Sequence, residues 1–312
     1  MAFKPIRFIP DDTKIAFMKV SRFGFFASGI LCTLSILLFM FVGLNMGVDF
    51  KGGTVITIRT VEAANIDELR GKIDALGLGS SELQEFGSPN DVQIRIGTLE
   101  GGEAAQQAAI AKIKQALGTG VEYRAVEVVG PKVSGELVQE GIIAVVLSII
   151  CVLIYVWFRF EWQFAFGAVI SLLHDVLLTI GLFCIMGLEF NLSSIAAILT
   201  IIGYSLNDTV VVFDRIREYL RKYKKMHFAD LIDFSINSVL PRTLITSVTT
   251  LLALTSLYIF GGEVLRGFTF TMLWGVLVGT YSSIFIAAPV LILLGNIRDS
   301  QAAAEARAAA GP

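Results

Sequence analysis

The chain has 312 residues, of which 54% are hydrophobic and only 17% are charged, and its mean hydropathy is +0.71. A soluble domain carries about 25% charged residues, so this composition excludes a disordered chain, a collagen-like fibre and an ordinary soluble enzyme. The net charge of −2 and the pI of about 5.8 give no sign of a polyphosphate partner such as a nucleic acid. A large part of the chain is therefore expected to lie in lipid.

Six apolar segments are long enough to cross the roughly 30 Å hydrocarbon core of a bilayer as helices. They comprise residues 23–46, 138–158, 164–187, 192–213, 239–260 and 267–293. The first segment is too long for a signal peptide and no small-x-small cleavage site follows it, so we interpret it as an uncleaved anchor. Pro241 is expected in the first turn of the fifth helix, and Pro289 is expected to kink the sixth.

Basic residues indicate how the six segments are oriented. Lys and Arg cluster before the first segment and between the fourth and the fifth, whereas the third and fifth connections are acidic or neutral. Because cytoplasmic loops are enriched in Lys and Arg, both termini are predicted to be cytoplasmic, with residues 1–22 as a cytoplasmic segment. The connection 214–238 is amphipathic and predicted to form a helix at the cytoplasmic interface. The Ala-rich tail, residues 298–312, is predicted to be disordered.

Residues 47–136 differ in composition from the rest and are predicted to form a periplasmic α+β domain. Alternating apolar residues mark strands, and apolar residues spaced three and four apart mark two helices. The order β-α-β-β-α-β predicts a ferredoxin-like sandwich that serves as a docking or substrate-contact domain. At its start, Asp49 and the pair Gly52-Gly53 form either a hinge to the membrane part or an ordinary beginning of a strand.

Three ionisable residues inside the apolar segments are the candidate functional groups: Asp175, Asp208 and Arg242. A charge at the centre of a membrane helix costs roughly 2.5–3.5 kcal/mol even on the lenient insertion scale, so such groups face protein or water. Asn207 and Thr209 are expected to be local hydrogen-bond donors to Asp208, and Thr246 shares a helical face with Arg242.

Two interpretations of Asp208 and Arg242 remain open. They form either a fixed ion pair that holds the fourth and fifth helices together, or a titratable pair in which movement of the arginine lets the carboxyl take up and release a proton. Asp175 and the adjacent His174 form either a packing hydrogen bond or part of a proton relay. The three cysteines and two histidines have no metal-binding spacing, and no nucleotide-binding or hydrolase motif is present. No cofactor, metal site or enzymatic activity is therefore expected.

Four motifs resemble the SecD/SecF family of protein-export membrane proteins, on its SecF side. The longest is GYSLNDTVVVFDRIRE at 203–218, and the others are SINSVLPRTLITS at 235–247, LHDV at 173–176 and GVDFKGG at 47–53. The resemblance covers nearly the whole chain apart from its two ends.

The resemblance implies a helical membrane protein that is half of a transporter of the RND superfamily, located in the inner membrane of a bacterium. It implies a complex with SecD, action alongside SecYEG, SecA and YajC, and export of preproteins driven by the proton-motive force, with protons as the coupling ion. The family's proton-pathway positions correspond here to Asp208 and Arg242. Two alternatives remain open: half of an RND-type transporter of small molecules or lipids, and a structural scaffold of the translocase that does not couple energy.

Overall fold

The structure, a computed structural model, describes residues 13–79, 81–118 and 120–295. Within these ranges six segments are long and apolar enough to span a membrane, as predicted. Five are the helices α1 (Phe17–Phe41), α5 (Pro131–Arg159), α6 (Trp162–Met186), α7 (Leu192–Lys222) and α8 (Phe228–Phe260). The sixth, Leu265–Leu294, includes most of α9 (Glu263–Ser282), a π-helical turn (Ser283–Ala287) and α10 (Ala288–Leu294). The predicted tail, residues 298–312, and most of the predicted N-terminal segment lie outside the described residues.

The remaining elements belong to the α+β part of the chain. Its helices are α2 (Val48–Lys51), α3 (Ile66–Asp74) and α4 (Gly102–Leu117). Its strands are β1 (Asn45–Met46), β2 (Gly53–Thr60), β3 (Ser81–Phe86), β4 (Ser88–Ile96), β5 (Val121–Val129) and β6 (Glu189–Phe190). The four long strands form an antiparallel sheet in the order β3-β4-β2-β5, with α3 and α4 between strands as the ferredoxin-like order requires.

The core of this sheet follows from the alternation in its two central strands. Ile56 and Ile58 of β2 and Ile94 of β4 are completely buried, because side chains two residues apart point to the same face. They pack with Ile73 of α3 and Ile113 of α4 in one apolar cluster. The strands predicted from alternating apolar residues and the helices predicted from the 3.6-residue period therefore pack into one apolar core.

A bidentate ion pair joins the two central strands at the polar edge of this core. Arg59 donates to Asp91 through Nε at 2.7 Å and through Nη2 at 2.5 Å, and Ser88 Oγ donates to the same carboxylate at 2.9 Å. The hydrogen bonds from Arg59 hold the pKa of Asp91 below its usual range, against the opposing effect of burial.

This lowered pKa predicts that the sheet loses stability in acid. The contribution of the ionised carboxylate is complete above the unfolded pKa of about 3.9 and is lost as the pH falls through the lower folded pKa. Hydrogen exchange of β2 and β4 amides, corrected for the intrinsic pH dependence, should show protection falling below about pH 4. In the variant Asp91→Asn the amides should be less protected at neutral pH and lack this acid transition. Identical pH profiles for the two proteins would contradict the assignment.

The first membrane helix is shifted relative to the predicted segment 23–46. It begins at Phe17, where the backbone N–H of Met18 donates to Asp233 Oδ1 at 2.8 Å and the Met18 side chain is buried. It ends at Phe41, before Gly43 with φ of 77°, a left-handed conformation that favours glycine. The apolar run that marked the segment includes Asn45–Met46, which instead pairs as a strand with β6.

The connection 214–238 is not a separate interfacial helix, which corrects the prediction. Helix α7 continues to Lys222 and α8 begins at Phe228, so most of the connection consists of the ends of these two helices. Ile216 and Leu220 of α7 and Leu231 and Ile232 of α8 belong to one buried cluster. The amphipathic pattern correctly indicated that this connection has one buried face. That face packs against other protein side chains rather than against the membrane surface. Pro241 consequently lies inside α8 and not in its first turn.

The predicted disturbance at Pro289 is displaced toward the N-terminus. Regular α-helix ends at Ser282, the π-helical turn follows, and Pro289 lies at the start of α10. Proline has no N–H to donate and its ring crowds the carbonyl four residues earlier, which here belongs to Phe285 within the π-turn. Such turns are frequent at functional sites, and this one begins with Ser283, whose hydroxyl donates to Asp208.

Small residues let α1 and α6 approach closely. A Cβ on Gly181 of α6 would overlap Ser35 Oγ of α1 and would lie 2.7 Å from the Cβ and 3.1 Å from the Cα of that serine. Because the Cα belongs to the backbone, a rotamer change cannot relieve the contact. Close approach at small residues is how membrane helices gain packing energy.

Gly181→Ala is therefore expected to destabilise the helix bundle by about 1–3 kcal/mol, the usual cost of overpacking. Gly203 of α7 is a matched control, since a Cβ there meets nothing within 4 Å, and alanine favours a helix by up to about 1 kcal/mol over glycine. Thermal unfolding in detergent should give a lower midpoint for Gly181→Ala and an unchanged or higher one for Gly203→Ala. Equal midpoints for the two variants would argue against tight packing at Gly181.

Candidate functional site

Asp175 lies in the middle of α6 and is almost completely buried, with 1% of its surface exposed. Its Oδ2 accepts hydrogen bonds from Ser205 Oγ of α7 at 2.5 Å and from Ser282 Oγ of α9 at 2.8 Å. Its Oδ1 lies 2.9 Å from Nδ1 of His174. The carboxyl therefore connects three helices through polar contacts in an apolar interior.

Asp208 lies on α7 with 9% of its surface exposed. Thr243 of α8 donates to its Oδ1 at 2.7 Å, and Ser283 of the π-turn donates to its Oδ2 at 2.6 Å. Two hydroxyl groups thus satisfy the carboxylate, one from each neighbouring segment of the bundle. A buried carboxylate requires such partners, because its desolvation is costly.

The consecutive serines 282 and 283 link the two carboxyls. Ser282 donates to Asp175 and Ser283 donates to Asp208. Each hydroxyl also lies close to a carbonyl of its own helix, Ser282 Oγ 3.1 Å from Gly279 O and Ser283 Oγ 3.0 Å from Thr280 O. Each serine therefore has a second acceptor if the carboxyl ceases to accept a hydrogen bond.

A small cavity of about 40 Å³ lies beside Asp208, between α7 and α8. Its lining includes Asn207, Asp208, Arg242, Thr243 and Thr246. A cavity of this size is large enough for a water molecule. Four of the predicted site residues, Asn207, Asp208, Arg242 and Thr246, are thereby brought to one place.

Arg242 is exposed and makes no hydrogen bond or ion pair with any residue in 13–79, 81–118 or 120–295. The fixed ion pair between Asp208 and Arg242 is thus not present, although both residues line the same cavity. Thr243, next to Arg242, is the residue of α8 that faces Asp208 and donates to its Oδ1, and consecutive side chains on a helix point in directions about 100° apart.

The expected local donors do not bind Asp208 either. Thr209 Oγ1 is buried without a hydrogen-bond partner among the described residues, and Asn207 lines the cavity without bonding to its neighbour's carboxyl. Consecutive positions on a helix point about 100° apart, so an adjacent side chain is poorly placed to donate. Thr246 lines the cavity one turn after Thr243.

His174 and Asp175 form the expected contact, and Asp175 lies apart from the cavity lined by Asp208. The His174 ring stacks on Tyr281, with 6.0 Å between ring centroids. Its Nε2 is buried and has no hydrogen-bond partner among the described residues. The packing contact is therefore present, while a relay role for the pair stays a prediction.

Four hydroxyl residues of this site were missed by the sequence analysis: Ser205, Thr243, Ser282 and Ser283. Serine and threonine are ordinary in membrane helices, so their presence alone carries little information. Ser205 lies one turn before Asp208, and Ser282-Ser283 is a polar pair within an apolar segment. Those two features mark Ser205, Ser282 and Ser283 as polar residues near the candidate groups without showing which carboxyl each one binds, and nothing in the sequence distinguishes Thr243.

Asp49, Gly52 and Gly53 lie in the α+β part of the chain. Asp49 Oδ2 accepts from the backbone N–H of Leu192 at 2.9 Å and so satisfies a free donor at the start of α7. Gly52 and Gly53 have φ of 72° and 122°, and a Cβ on Gly53 would overlap the carbonyl oxygen of Ile96. This strand start requires glycine whether or not it moves, so a hinge here stays a prediction.

A second charged contact lies near this segment. Arg95 Nη2, at the end of β4, is 2.6 Å from Glu189 Oε2 in β6. Burial raises the pKa of Glu189, and the nearby Arg95 opposes this shift. The ion pair supports the parallel pairing of β1 with β6, in which Asn45 lies opposite Glu189.

Within the described part of the chain, no group of three His, Cys, Asp or Glu residues lies close enough to hold a metal ion. Among the residues that line the cavity between α7 and α8, Asp208 is the only one with a carboxyl. The site therefore offers a carboxyl beside a space large enough for a water molecule.

Two family models match the chain. The model described as protein export membrane protein SecD/SecF, C-terminal, matches residues 109–297, which include both intramembrane aspartates. The model described as SecD/SecF GG motif matches residues 37–64, which include Gly52 and Gly53.

Curated proteins with high similarity are named protein translocase subunit SecF. The protein from Rickettsia rickettsii is 44% identical over 303 residues, covering 95% of this chain and 97% of that protein. The protein from Rhodobacter capsulatus is 42% identical over 316 residues, covering 96% of this chain and 95% of that protein.

Solved structures of SecDF have the same fold. The crystal structure of SecDF from Thermus thermophilus, described as a translocon-associated membrane protein, matches with a TM-score of 0.84 and 32% identity over 92% of this chain. A super-membrane-facing form of SecDF matches with a TM-score of 0.70 and 32% identity over 97% of this chain. The chain spans about 40% of the length of the SecDF chain that it matches first. From the family models and the curated relatives together, the chain belongs to the SecD/SecF family of protein export membrane proteins.

Proposed function

We propose that this chain acts as a SecF-type subunit of a protein translocase in the inner membrane of a bacterium and couples the proton-motive force to the export of preproteins. The observation that carries the proposal is Asp208, a carboxyl inside a membrane helix and beside a cavity. It accepts hydrogen bonds from Thr243 and Ser283, and Ser283 has a second acceptor in Thr280 O. Ionisable groups inside membrane helices commonly mark proton pathways.

Protonation of Asp208 changes its hydrogen bonding. The ionised carboxylate only accepts hydrogen bonds, whereas the protonated acid also donates one. Ser283 can then turn its hydroxyl to Thr280 O, which lies 3.0 Å away. Uptake of a proton thereby alters the contact between α7 and the π-turn, and a change of helix contacts is what energy coupling requires.

A SecD-type partner is part of the proposal. The SecDF chain that this protein matches is much longer, and this chain spans about 40% of it, so we propose that a SecD-type half packs against the half described here. In the most apolar stretch of α5 and of α8, only 11% of the residues are buried, and exposed Arg242 lies on α8 next to the cavity. SecYEG, SecA and YajC are further partners that we propose from the family.

The proposed orientation places both termini in the cytoplasm and the α+β domain in the periplasm. The basic residues between α7 and α8 support it, because Arg221 and Lys222 end α7 and basic residues favour the cytoplasmic side. The residues between α6 and α7 include Glu189 and lack Lys and Arg.

The transporter alternative has less support. Small-molecule sites have volumes of roughly 300–1,000 Å³, whereas the cavity beside Asp208 measures about 40 Å³. This cavity suits a proton or a water molecule rather than a drug-sized or lipid substrate.

The test joins purification to an export assay. The tagged chain, extracted from its own membranes, should co-purify with a SecD-like protein identified by mass spectrometry. Vesicles containing the complex and the translocase should export a preprotein faster with an imposed proton gradient than after addition of an uncoupler. Export that is equal in both conditions would overturn the coupling role, and absence of a SecD-like companion would overturn the assignment of the partner.

A further inference from the structure

A second, larger cavity lies where the ends of α5 and α7 meet. Its volume is about 430 Å³, within the range of sites that bind small molecules or headgroups. It is lined by Arg159, Asp214, Arg217, Glu218, Arg221 and Lys222. The proton site described above has no residue in common with it.

The charges in this cavity do not balance. Asp214 is already paired with Arg159, whose Nη2 lies 2.7 Å from Asp214 Oδ1. Glu218 is paired with Arg215, at 2.7 Å. Arg217, Arg221 and Lys222 have no acidic partner among the described residues, so the cavity has an excess of positive charge.

Arg217 is positioned for a ligand. Its Nη1 donates to the carbonyl oxygen of Arg159 at 3.2 Å, which holds the guanidinium at the end of α5. Its Nε is buried and has no hydrogen-bond partner among the described residues. A guanidinium fixed in this way with a free donor is suited to phosphate oxygens.

The cavity lies at the level expected for lipid headgroups. Arg159 is the last residue of the membrane helix α5, directly after Trp157 and Phe158, which are 64% and 90% exposed. Trp162, which begins α6, is 58% exposed. Exposed aromatic side chains at the ends of membrane helices lie at the interface between hydrocarbon and water.

We propose that this cavity binds the phosphate group of an anionic phospholipid. The excess of Arg and Lys attracts the phosphodiester, since basic pockets between membrane helices on the cytoplasmic side recognise such headgroups. Both acidic side chains are engaged in ion pairs, so none is left to receive the positive group of a zwitterionic lipid. The site would fix one lipid at the junction of α5 and α7, independently of proton coupling.

The test uses the full chain, purified in detergent and freed of lipid, with bound lipid measured by native mass spectrometry. Phosphatidylglycerol should bind at least tenfold more tightly than phosphatidylcholine with the same acyl chains. The double variant Arg217→Gln/Arg221→Gln should lose at least tenfold in affinity for phosphatidylglycerol. A control variant with the same loss of charge, Lys19→Gln/Arg22→Gln, should bind as the unchanged protein does, since Lys19 and Arg22 do not line the cavity.

The single variant Arg221→Gln separates loss of binding from misfolding, because Arg221 makes no hydrogen bond to a described residue. It should weaken lipid binding several-fold and leave the unfolding midpoint unchanged. Equal losses in the cavity and control variants would show general surface attraction and overturn the site. Equal binding of both lipids would overturn the choice of headgroup. Displacement of the lipid by millimolar inorganic phosphate would show a site for a free anion, which overturns the assignment to lipid.

Discussion

Export driven by a proton gradient is expected to fall to the uncoupled level when Asp208 is replaced by asparagine. The amide has nearly the same shape, and its oxygen can still accept from Thr243. Its NH2 group can donate to Ser283 Oγ, whose hydroxyl turns to Thr280 O at 3.0 Å. Packing is therefore kept, while the group that takes up the proton is lost.

Export measured with and without an uncoupler checks this result. Asp230→Asn is the control, because Asp230 is an exposed acid near the start of α8 and its removal changes the charge by the same amount. The unfolding midpoint of Asp208→Asn and its association with the partner should be unchanged. Normal stimulation by the gradient in Asp208→Asn would eliminate this carboxyl as the coupling group.

A charge exchange separates coupling from a structural role. If Asp208 and Arg242 only held helices together, Asp208→Arg/Arg242→Asp would restore what either single change removes. The structure has no ion pair between them, and the donors to the Asp208 carboxylate are Thr243 and Ser283. We therefore expect the double variant to export no better than the single ones.

The sequence predicted the features that depend on the spacing of apolar residues and on which side chains are stable in hydrocarbon. Six apolar segments, the β-α-β-β-α-β order and the two aspartates follow from which residues dissolve in hydrocarbon and which do not. Asp175 and Asp208 stood out because a charge in lipid is costly. No information about partners was needed for these predictions.

The features that depend on what covers a surface could not be predicted. The apolar stripe at 214–238 indicated a buried face, and two helix ends cover it instead of the membrane surface. The partners of Asp208 could not be identified either, because Thr243 and Ser283 lie 35 and 75 residues away in the chain. A hydroxyl at the right helical angle is ordinary in sequence and is identified only when the helices are packed.

Asp175→Ala is expected to destabilise the helix bundle more than Asp175→Asn or Asp208→Asn. Ser205 and Ser282 would lose their acceptor, and His174 would lose its partner at Nδ1. A buried polar group left unsatisfied costs about 1–3 kcal/mol, although Ser282 can turn to Gly279 O at 3.1 Å. Most of the lost stability should therefore come from the unsatisfied polar groups of Ser205 and His174.

The accessibility of Cys184 provides the measurement. Cys184 lies on α6 and is 5% exposed. In a background with Cys32→Ser and Cys151→Ser, the rate at which it reacts with a soluble maleimide therefore reports how often the helix bundle opens around α6. Asp175→Ala should raise the rate and lower the unfolding midpoint, whereas Asp175→Asn, which still accepts at its oxygen, should change both less. Because Ser282 and Ser283 are adjacent, opening at Asp175 should also weaken the contact at Asp208 and reduce gradient-driven export in proportion to the loss of stability. If Asp175→Asn instead abolished the response to the gradient while Cys184 stayed protected, Asp175 would be a proton carrier in its own right and not a structural support for Asp208.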